Sequence, residues 1–436
     1  MDPAALAGLI LLVGIVIGIA LSVPIAVVIG LAAFLAAIPL IGLEQAALVS
    51  AQQVFSGINS FPLLAIPLFV LAGVIMNNGG IAGRLVDAAK VVTGRMPASM
   101  AQTNVVANGL FGSVSGAAVA SAAAVGTVMG PRMAQEGYDR RFGAAVNIAS
   151  APAGMLIPPS NTFIVYALVS GSSIAALFMA GVVPGLLWIL ACMVVVYLYA
   201  RRRPGRLRTD ERVGLAQGLV VIWRAVPSLL MIVIVVGGIL TGFFTATESA
   251  SIAVVYCLVL SAIYRSIRFT DLPQILMDAG RTTAIVMLLV GVSTVLAFVM
   301  SFARIPEVIS GFVLGFTESD VVILLLMMIV LLVIGTFMDP TPAILIFVPI
   351  FLPIVQEFGI DPVHFGVMVV MNLSLGVITP PVGNVLFVGA RVARLRIEPV
   401  ISRLWAFFVA ILVALFLVVF VPQFSLWLPT FLGLIN

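Results

Sequence analysis

Long apolar runs, separated by short polar connections, dominate the chain. A helix crosses the hydrocarbon core when roughly 20 consecutive residues are apolar. Ten runs meet that demand and are predicted as full spans: 4–21, 24–42, 61–78, 142–168, 173–200, 226–243, 247–264, 282–303, 363–390 and 404–422. Two more apolar regions, 101–131 and 321–353, fit single spans poorly. The first is crowded with Gly, Ala and Ser and breaks at Gly112-Ser113-Val114-Ser115-Gly116; the second is interrupted from Gly335 to Pro342. Each reads as a re-entrant helical hairpin. Non-helical backbone survives at membrane depth only where protein or a water-filled cavity surrounds it. The polar stretch 43–60 is expected to form an amphipathic arm at the outer interface, with a cytosolic counterpart at 265–281.

Basic residues test this layout, because Lys and Arg accumulate on the cytosolic side. Counted through the predicted spans, Arg304 alone falls on the opposite side, so 20 of the 21 basic residues share one face. Either hairpin counted as a crossing would destroy that segregation. The expected topology has both termini outside the cytosol.

The halves align at a constant offset of 222 residues. Pro131 matches Pro353, Gly137 matches Gly359, Asp139 matches Asp361, Gly154 matches Gly376, and Pro158-Pro159 match Pro380-Pro381. Five crossings per half is an odd number, so the second half is expected to insert upside down. The predicted fold class is an all-α polytopic membrane protein of two inverted repeats. The first spans 1–212, with a hairpin at about 101–137 and a broken helix at about 142–168. The second spans 213–436, with a hairpin at about 318–355 and a broken helix at about 363–390. Inverted repeats whose broken helices meet near the bilayer midplane are a secondary-transporter design.

Composition agrees. Only 9% of residues are charged, 62% are hydrophobic, and the mean hydropathy is +1.28; a soluble domain carries about 25% charged residues. The start Met1-Asp2-Pro3 lacks a basic region and a cleavage motif, so 4–21 is expected to be retained and not to act as a signal peptide. The net charge of +4 is spread over membrane-flanking loops without interleaved aromatics, which argues against nucleic acid as a partner. Cys192 and Cys257 lie inside apolar runs and are expected to pack. No nucleotide-binding Gly-x-x-x-x-Gly-Lys-Ser/Thr loop, nucleophile–His–acid set or metal cluster occurs, so neither catalysis nor ATP-driven transport is expected of this chain.

The chemistry-bearing residues sit where helix rules fail. Proline removes an N–H and clashes with the carbonyl four residues back, and the residue before it avoids helical geometry. Pro158-Pro159 and Pro380-Pro381 should therefore unwind their helices and release carbonyls into the interior. Such oxygens, with Ser160, Asn161, Thr379 or Asn384, suit a hard cation such as Na⁺; a plain structural kink is the alternative. The first hairpin tip offers Ser113, Ser115 and Gly116, and Ser121 either joins them or only packs. In the second, Asp339 is an acid at membrane depth, where ionisable groups are costly. It could ligate a cation, take up a proton, or cap the helix starting after Pro340. Glu248 in Thr245-Ala246-Thr247-Glu248 reads as a capping acid. His364 reads as interfacial polarity, and the charged loop 201–212 as a topology determinant.

The stretch Asn108-Gly109-Leu110-Phe111-Gly112-Ser113-Val114-Ser115-Gly116-Ala117, with Gly130-Pro131-Arg132-Met133 and Gly137-Tyr138, resembles the first hairpin of the large membrane subunit of TRAP (tripartite ATP-independent periplasmic) transporters. Phe61 to Phe69, Thr247-Glu248-Ser249, Gly335 to Asp339, and Thr379-Pro380-Pro381-Val382-Gly383 fit as well. The resemblance implies Na⁺-driven import of organic acids, of C4-dicarboxylate or sialic-acid type, across a bacterial inner membrane by an elevator motion. It implies a periplasmic binding protein that delivers the substrate and a separate small four-helix membrane subunit. It places Na⁺ at Ser113, Ser115, Gly116 and Pro158 to Asn161 (with Ser160), and at Gly335, Met338, Asp339, Thr379 and Val382. Ser115, Asn161, Thr341, Gly383 and Asn384 are expected to contact substrate. A stand-alone ion-coupled carboxylate carrier, and a membrane channel or scaffold, remain the competing readings.

Overall fold

The computed structural model describes residues 2–21, 23–202, 215–308, 311 and 319–435. The repeat boundary at 212/213, most of the charged loop 201–212 and the predicted hairpin start at 318 lie outside the described residues. The described residues are helical throughout, without strands. The first part of the chain gives α1 (Pro3–Ala20), α2 (Ile25–Ile41), α3 (Leu43–Ile58), α4 (Ala65–Asn78), α5 (Ile81–Thr93), α6 (Ser99–Ser115), α7 (Ala118–Gln135), α8 (Arg140–Ser150), α9 (Asn161–Ser170) and α10 (Ile174–Arg201). The second gives α11 (Leu215–Leu240), α12 (Ala246–Ile263), α13 (Leu272–Phe302), α14 (Asp320–Phe337), α15 (Pro340–Glu357), α16 (Pro362–Gly376), α17 (Asn384–Val392), α18 (Ile397–Phe420) and α19 (Gln423–Phe431).

Eight helices among the described residues are long and apolar enough to cross a membrane. Their outward faces explain the hydropathy. Along α10, Leu186, Leu190, Val194 and Leu198 are exposed at near-helical spacing, a stripe that only lipid can cover. Lipid supplies no hydrophobic drive between helices, so close packing through small residues holds them together. Gly14 of α1 lies on Ala32 of α2, and Gly57 of α3 on Thr294 of α13. The Thr294 hydroxyl also donates to the Gln53 carbonyl at 2.7 Å.

At the two expected hairpins the chain forms helix–turn–helix units: α6 turns into α7 through Gly116-Ala117, and α14 into α15 through Met338-Asp339. At the two Pro-Pro segments the helix is interrupted: α8 passes through a 3₁₀ turn (Ala151–Met155) and an irregular stretch before α9, and α16 stops at Gly376 with α17 starting at Asn384. Element bounds recur at one spacing. α7 and α15 begin and end 222 residues apart, and α8 and α16 begin 222 apart. The matched acids Asp139 and Asp361 both cap their helices, accepting from the N–H groups of Arg141 and of Val363 and His364.

The two broken helices lie side by side and antiparallel. Ile148 packs on Gly389, the Ser374 hydroxyl lies 3.8 Å from the Met155 sulfur, and the Tyr166 hydroxyl donates to the Pro362 carbonyl at 2.6 Å. The partners run down one chain as they run up the other. The second hairpin arm α15 packs on α9, and the first hairpin arm α7 packs on α17. Each hairpin thus touches the broken helix of the opposite half as well as its own. Around this core, α4 packs on α12, and α2 and α3 pack on α13.

Several expectations are corrected. The arm 43–60 forms α3, but its expected counterpart is no separate arm: from Leu272 it runs without interruption into the following span as α13. Helices α5 and α19 were not foreseen. His364 is buried in the protein and bonds through its ring to the Ser425 hydroxyl and the Val419 carbonyl, where α19 folds back. Glu248 forms the expected capping box with Thr245, and both cysteines are buried.

Candidate functional site

At the first hairpin tip, α6 stops because Gly116 takes a left-handed conformation (φ +63°) that non-glycine residues resist. Its N–H closes on the Gly112 carbonyl at 2.8 Å. The missing side chain also creates the contact: a Cβ on Gly116 would lie 2.8 Å from the Asn161 amide nitrogen. One turn lower, a Cβ on Gly112 would lie 2.7 Å from the Gly154 Cα. The tip therefore sits backbone-on-backbone against the break of its own half. The Ser113 and Ser115 hydroxyls are buried, donating to the Leu110 carbonyl at 2.8 Å and the Ala117 carbonyl at 3.5 Å.

In the break, the Pro158–Pro159 bond is cis. The prolines leave the Met155 carbonyl without its helical donor, and side chains take that place. The Ser160 hydroxyl donates to it, and the Thr162 hydroxyl reaches it at 3.2 Å. The released carbonyl at Met155 is thus occupied, contrary to the expectation that it points free into the interior. Ser160 also accepts from the Phe163 N–H and caps α9. Asn161 opens α9, half-buried beside the tip.

The second assembly repeats the plan with different detail. A Cβ on Gly376 would lie 2.6 Å from the Gly335 Cα, so hairpin and break again meet backbone to backbone. Gly376 follows Gly154 by 222 residues. A direct bond joins the two pieces: the Gly383 N–H donates to the Thr336 carbonyl at 2.9 Å. Gly383 has φ +53°, and a Cβ there would approach the Thr379 carbonyl to 2.9 Å. The Thr379 hydroxyl donates to the Leu375 carbonyl at 2.6 Å, and the Pro380–Pro381 bond is cis. Met338 is buried; Thr341, Val382 and Asn384 are half-buried.

Asp339 occupies the N-cap position of α15, yet its carboxylate makes no capping hydrogen bond. It is exposed, and no ion pair reaches it among the described residues. The capping reading therefore falls. The structure joins Gly116 with Asn161 and Gly383 with the second hairpin. No hydrogen bond among the described residues ties Asp339 to the second break.

A group that was not singled out sits inside the first hairpin. Asn108 Nδ2 shares its two protons among Asn104 Oδ1 (2.8 Å), Asn147 Oδ1 (3.0 Å) and Ser150 Oγ (2.8 Å). Ser121 Oγ donates to Asn108 Oδ1 (2.8 Å), so Ser121 joins this network and not the tip, and Asn147 Nδ2 donates to the Ala122 carbonyl (2.8 Å). These bonds weld α6, α7 and α8 together. The signal available in the sequence was polar residues at i, i+4 on α6 facing Asn147 and Ser150 at i, i+3 on α8.

A family model for the DctM component of tripartite ATP-independent periplasmic transporters matches residues 12–424. The chain belongs to this DctM family. The family is one of membrane permeases and not of enzymes. Among relatives, YgiK of Salmonella typhimurium, described as uncharacterized, is 49% identical over 94% of both chains. The C4-dicarboxylate TRAP transporter large permease protein DctM of Pseudomonas aeruginosa is 39% identical over 88% of this chain and 90% of its own. The sialic acid TRAP transporter large permease protein SiaM of Vibrio cholerae is 36% identical over the same shares. Among solved structures, the Alcanivorax borkumensis YdaH transporter superposes with a TM-score of 0.65 over 100% of this chain and 99% of its own, at 13% identity, a likeness of fold alone. This DctM-family chain is thus a multi-pass membrane protein of a three-part transport system.

Proposed function

We propose that this chain is the large permease subunit of a Na⁺-driven system importing an organic acid across the bacterial inner membrane. The observation that carries the reading is the pair of tip-on-break assemblies, each holding a hairpin arm, just short of its turn, against the end of a helix break through a glycine–glycine contact. Unwound backbone, with its carbonyls and helix ends, is how transporters hold ions and anionic substrates near the midplane. The names of relatives, which include C4-dicarboxylate and sialic acid permeases, support a substrate of the organic-acid class. The 222-residue recurrence and the antiparallel broken helices support two inverted repeats, and the segregation of basic residues supports periplasmic termini. A periplasmic binding protein and a small membrane subunit complete the system. The core of hairpins and broken helices moves as an elevator against α1 to α4 and α11 to α13.

The first assembly contributes Ser115, Gly116 and Asn161, and the second contributes Asp339, Thr379 and the turn at Val382. The hydroxyls of Ser113, Ser115, Ser160 and Thr379 all donate to neighbouring backbone, which leaves their oxygen lone pairs free to face a cation. The test is uptake by proteoliposomes containing the permease and its small subunit. Saturable, electrogenic uptake that needs both Na⁺ and the binding protein is expected. Full-rate uptake by this chain alone would point to a stand-alone carrier, and non-saturating conductance to a channel.

A further inference from the structure

A cavity of about 660 Å³ opens between the lower part of α7, the start of α8 and the end of α17. It lies well away from both hairpin turns: α7 runs from Ala118 at the tip to this cavity at Gly126 to Ala134, and α17 runs from Asn384 at the break to Arg391. Its volume falls within the range of about 300–1,000 Å³ usual for small-molecule sites.

The lining is one-sided in charge. Arg140, Arg391 and Arg394 line it against a single acid, Asp139, and Asp139 is engaged by Arg403 at 3.4 Å. Arg140 donates to the Ala393 carbonyl at 3.1 Å, tying α8 to the segment after α17 and fixing both rims in register. Arg391 and Arg394 are exposed and pair with no acid among the described residues.

The interior wall adds a donor that lacks a good acceptor. Asn104 is buried, and its amide N–H points at the Met133 sulfur at 3.7 Å, a weak acceptor. Buried polar groups are ordinarily paired, and Asn104 lines a cavity ringed by guanidinium groups. Retention of cytosolic arginines accounts for positive loops. It does not account for a buried amide donor left with a thioether in the same cavity.

We propose that this cavity is a cytosolic binding site for a small organic anion, separate from the two tip-on-break assemblies, where the imported acid is held before release. Guanidinium groups match carboxylates in bidentate fashion, and the Asn104 amide serves the rest of the molecule. The ligand class and the cytosolic side rest on the transport function proposed above.

Thr127 offers a local reporter. It lines the cavity and is exposed, whereas the native Cys192 and Cys257 are buried. The Thr127→Cys protein, reconstituted with its small subunit and held in choline without Na⁺, is labelled with N-ethylmaleimide. Succinate, N-acetylneuraminate and inorganic phosphate serve as probes. At least one of the two carboxylates is expected to slow labelling several-fold. In the Arg391→Gln/Arg394→Gln background the half-effective concentration should rise about tenfold or more, the usual weight of a charge-assisted bond. The unliganded labelling rate shows that this background keeps its fold. Three results would overturn the site: no carboxylate protects, protection survives loss of both arginines, or phosphate protects better than either carboxylate. Because labelling is read without Na⁺, the two proposals fail separately. Protection without any Na⁺-driven uptake would sink the transport reading and leave this site, and the reverse would sink only this site.

Discussion

Asp339 is exposed at the second hairpin turn, and its carboxylate makes no capping bond. Asp339→Asn should therefore leave the unfolding temperature almost unchanged while raising the Na⁺ concentration for half-maximal uptake about tenfold or more. A lowered unfolding temperature with unchanged Na⁺ dependence would return the residue to a structural role. The glycines at the crossings make a complementary case. A Cβ on Gly376 meets Gly335 backbone that has nowhere to go, so Gly376→Ala should cost about 1–3 kcal/mol by overpacking. Gly280 is helical with open space around it, and Gly280→Ala should be neutral or stabilising by up to about 1 kcal/mol. Thermal unfolding of the two variants in detergent checks both.

The two hairpins share bounds but not glue. At the 222-residue offset, Asn104, Asn108, Ser121 and Asn147 correspond to Leu326, Val330, Ala343 and Val369. The first hairpin is welded to α8 by a network of amides and hydroxyls; the second has apolar packing, the Gly383–Thr336 backbone bond and one buried amide bond, from Asn372 Nδ2 to the Met328 carbonyl at 3.0 Å. Interhelical bonds in membranes average only about 0.6 kcal/mol each, yet stranding a buried partner costs about 1–3 kcal/mol. Asn108→Ala should therefore destabilise by about 1–3 kcal/mol. Amide exchange over Ser99–Gln135 should be slower than over Asp320–Glu357, and Asn108→Ala should narrow the difference. Equal protection in the parent protein would contradict this asymmetry.

The same contrast shows what the sequence made legible. Pro158-Pro159, Pro380-Pro381 and the Gly116 turn act through local backbone geometry, so their consequences could be read in place. The Asn108 network joins residues 39 and 42 positions apart, and the burial of His364 depends on α19 folding back 61 residues later; neither leaves a local mark. The fused α13 escaped because continuity of a helix depends on the absence of a breaker, and Leu272 to Phe302 contains Pro273 only in its first turn, where proline is tolerated. Asp339 was legible as an anomaly, but its failure to cap was visible only in three dimensions.

Across the whole molecule, α2, α3, α4, α12 and α13 pack on one another beside a core whose two interrupted helices lie side by side. Ions held on both sides of that core would couple the gradient to its motion, and an organic acid alone would lack the positive charge needed to cross. The central claim is that each tip-on-break assembly binds Na⁺. Equilibrium binding of ²²Na⁺ to the purified permease complex tests it most directly. Asn161→Ala and Asp339→Asn, which alter different halves, should each remove part of the bound Na⁺, and the combined variant should remove it entirely. Undiminished ²²Na⁺ binding by the combined variant would contradict the account.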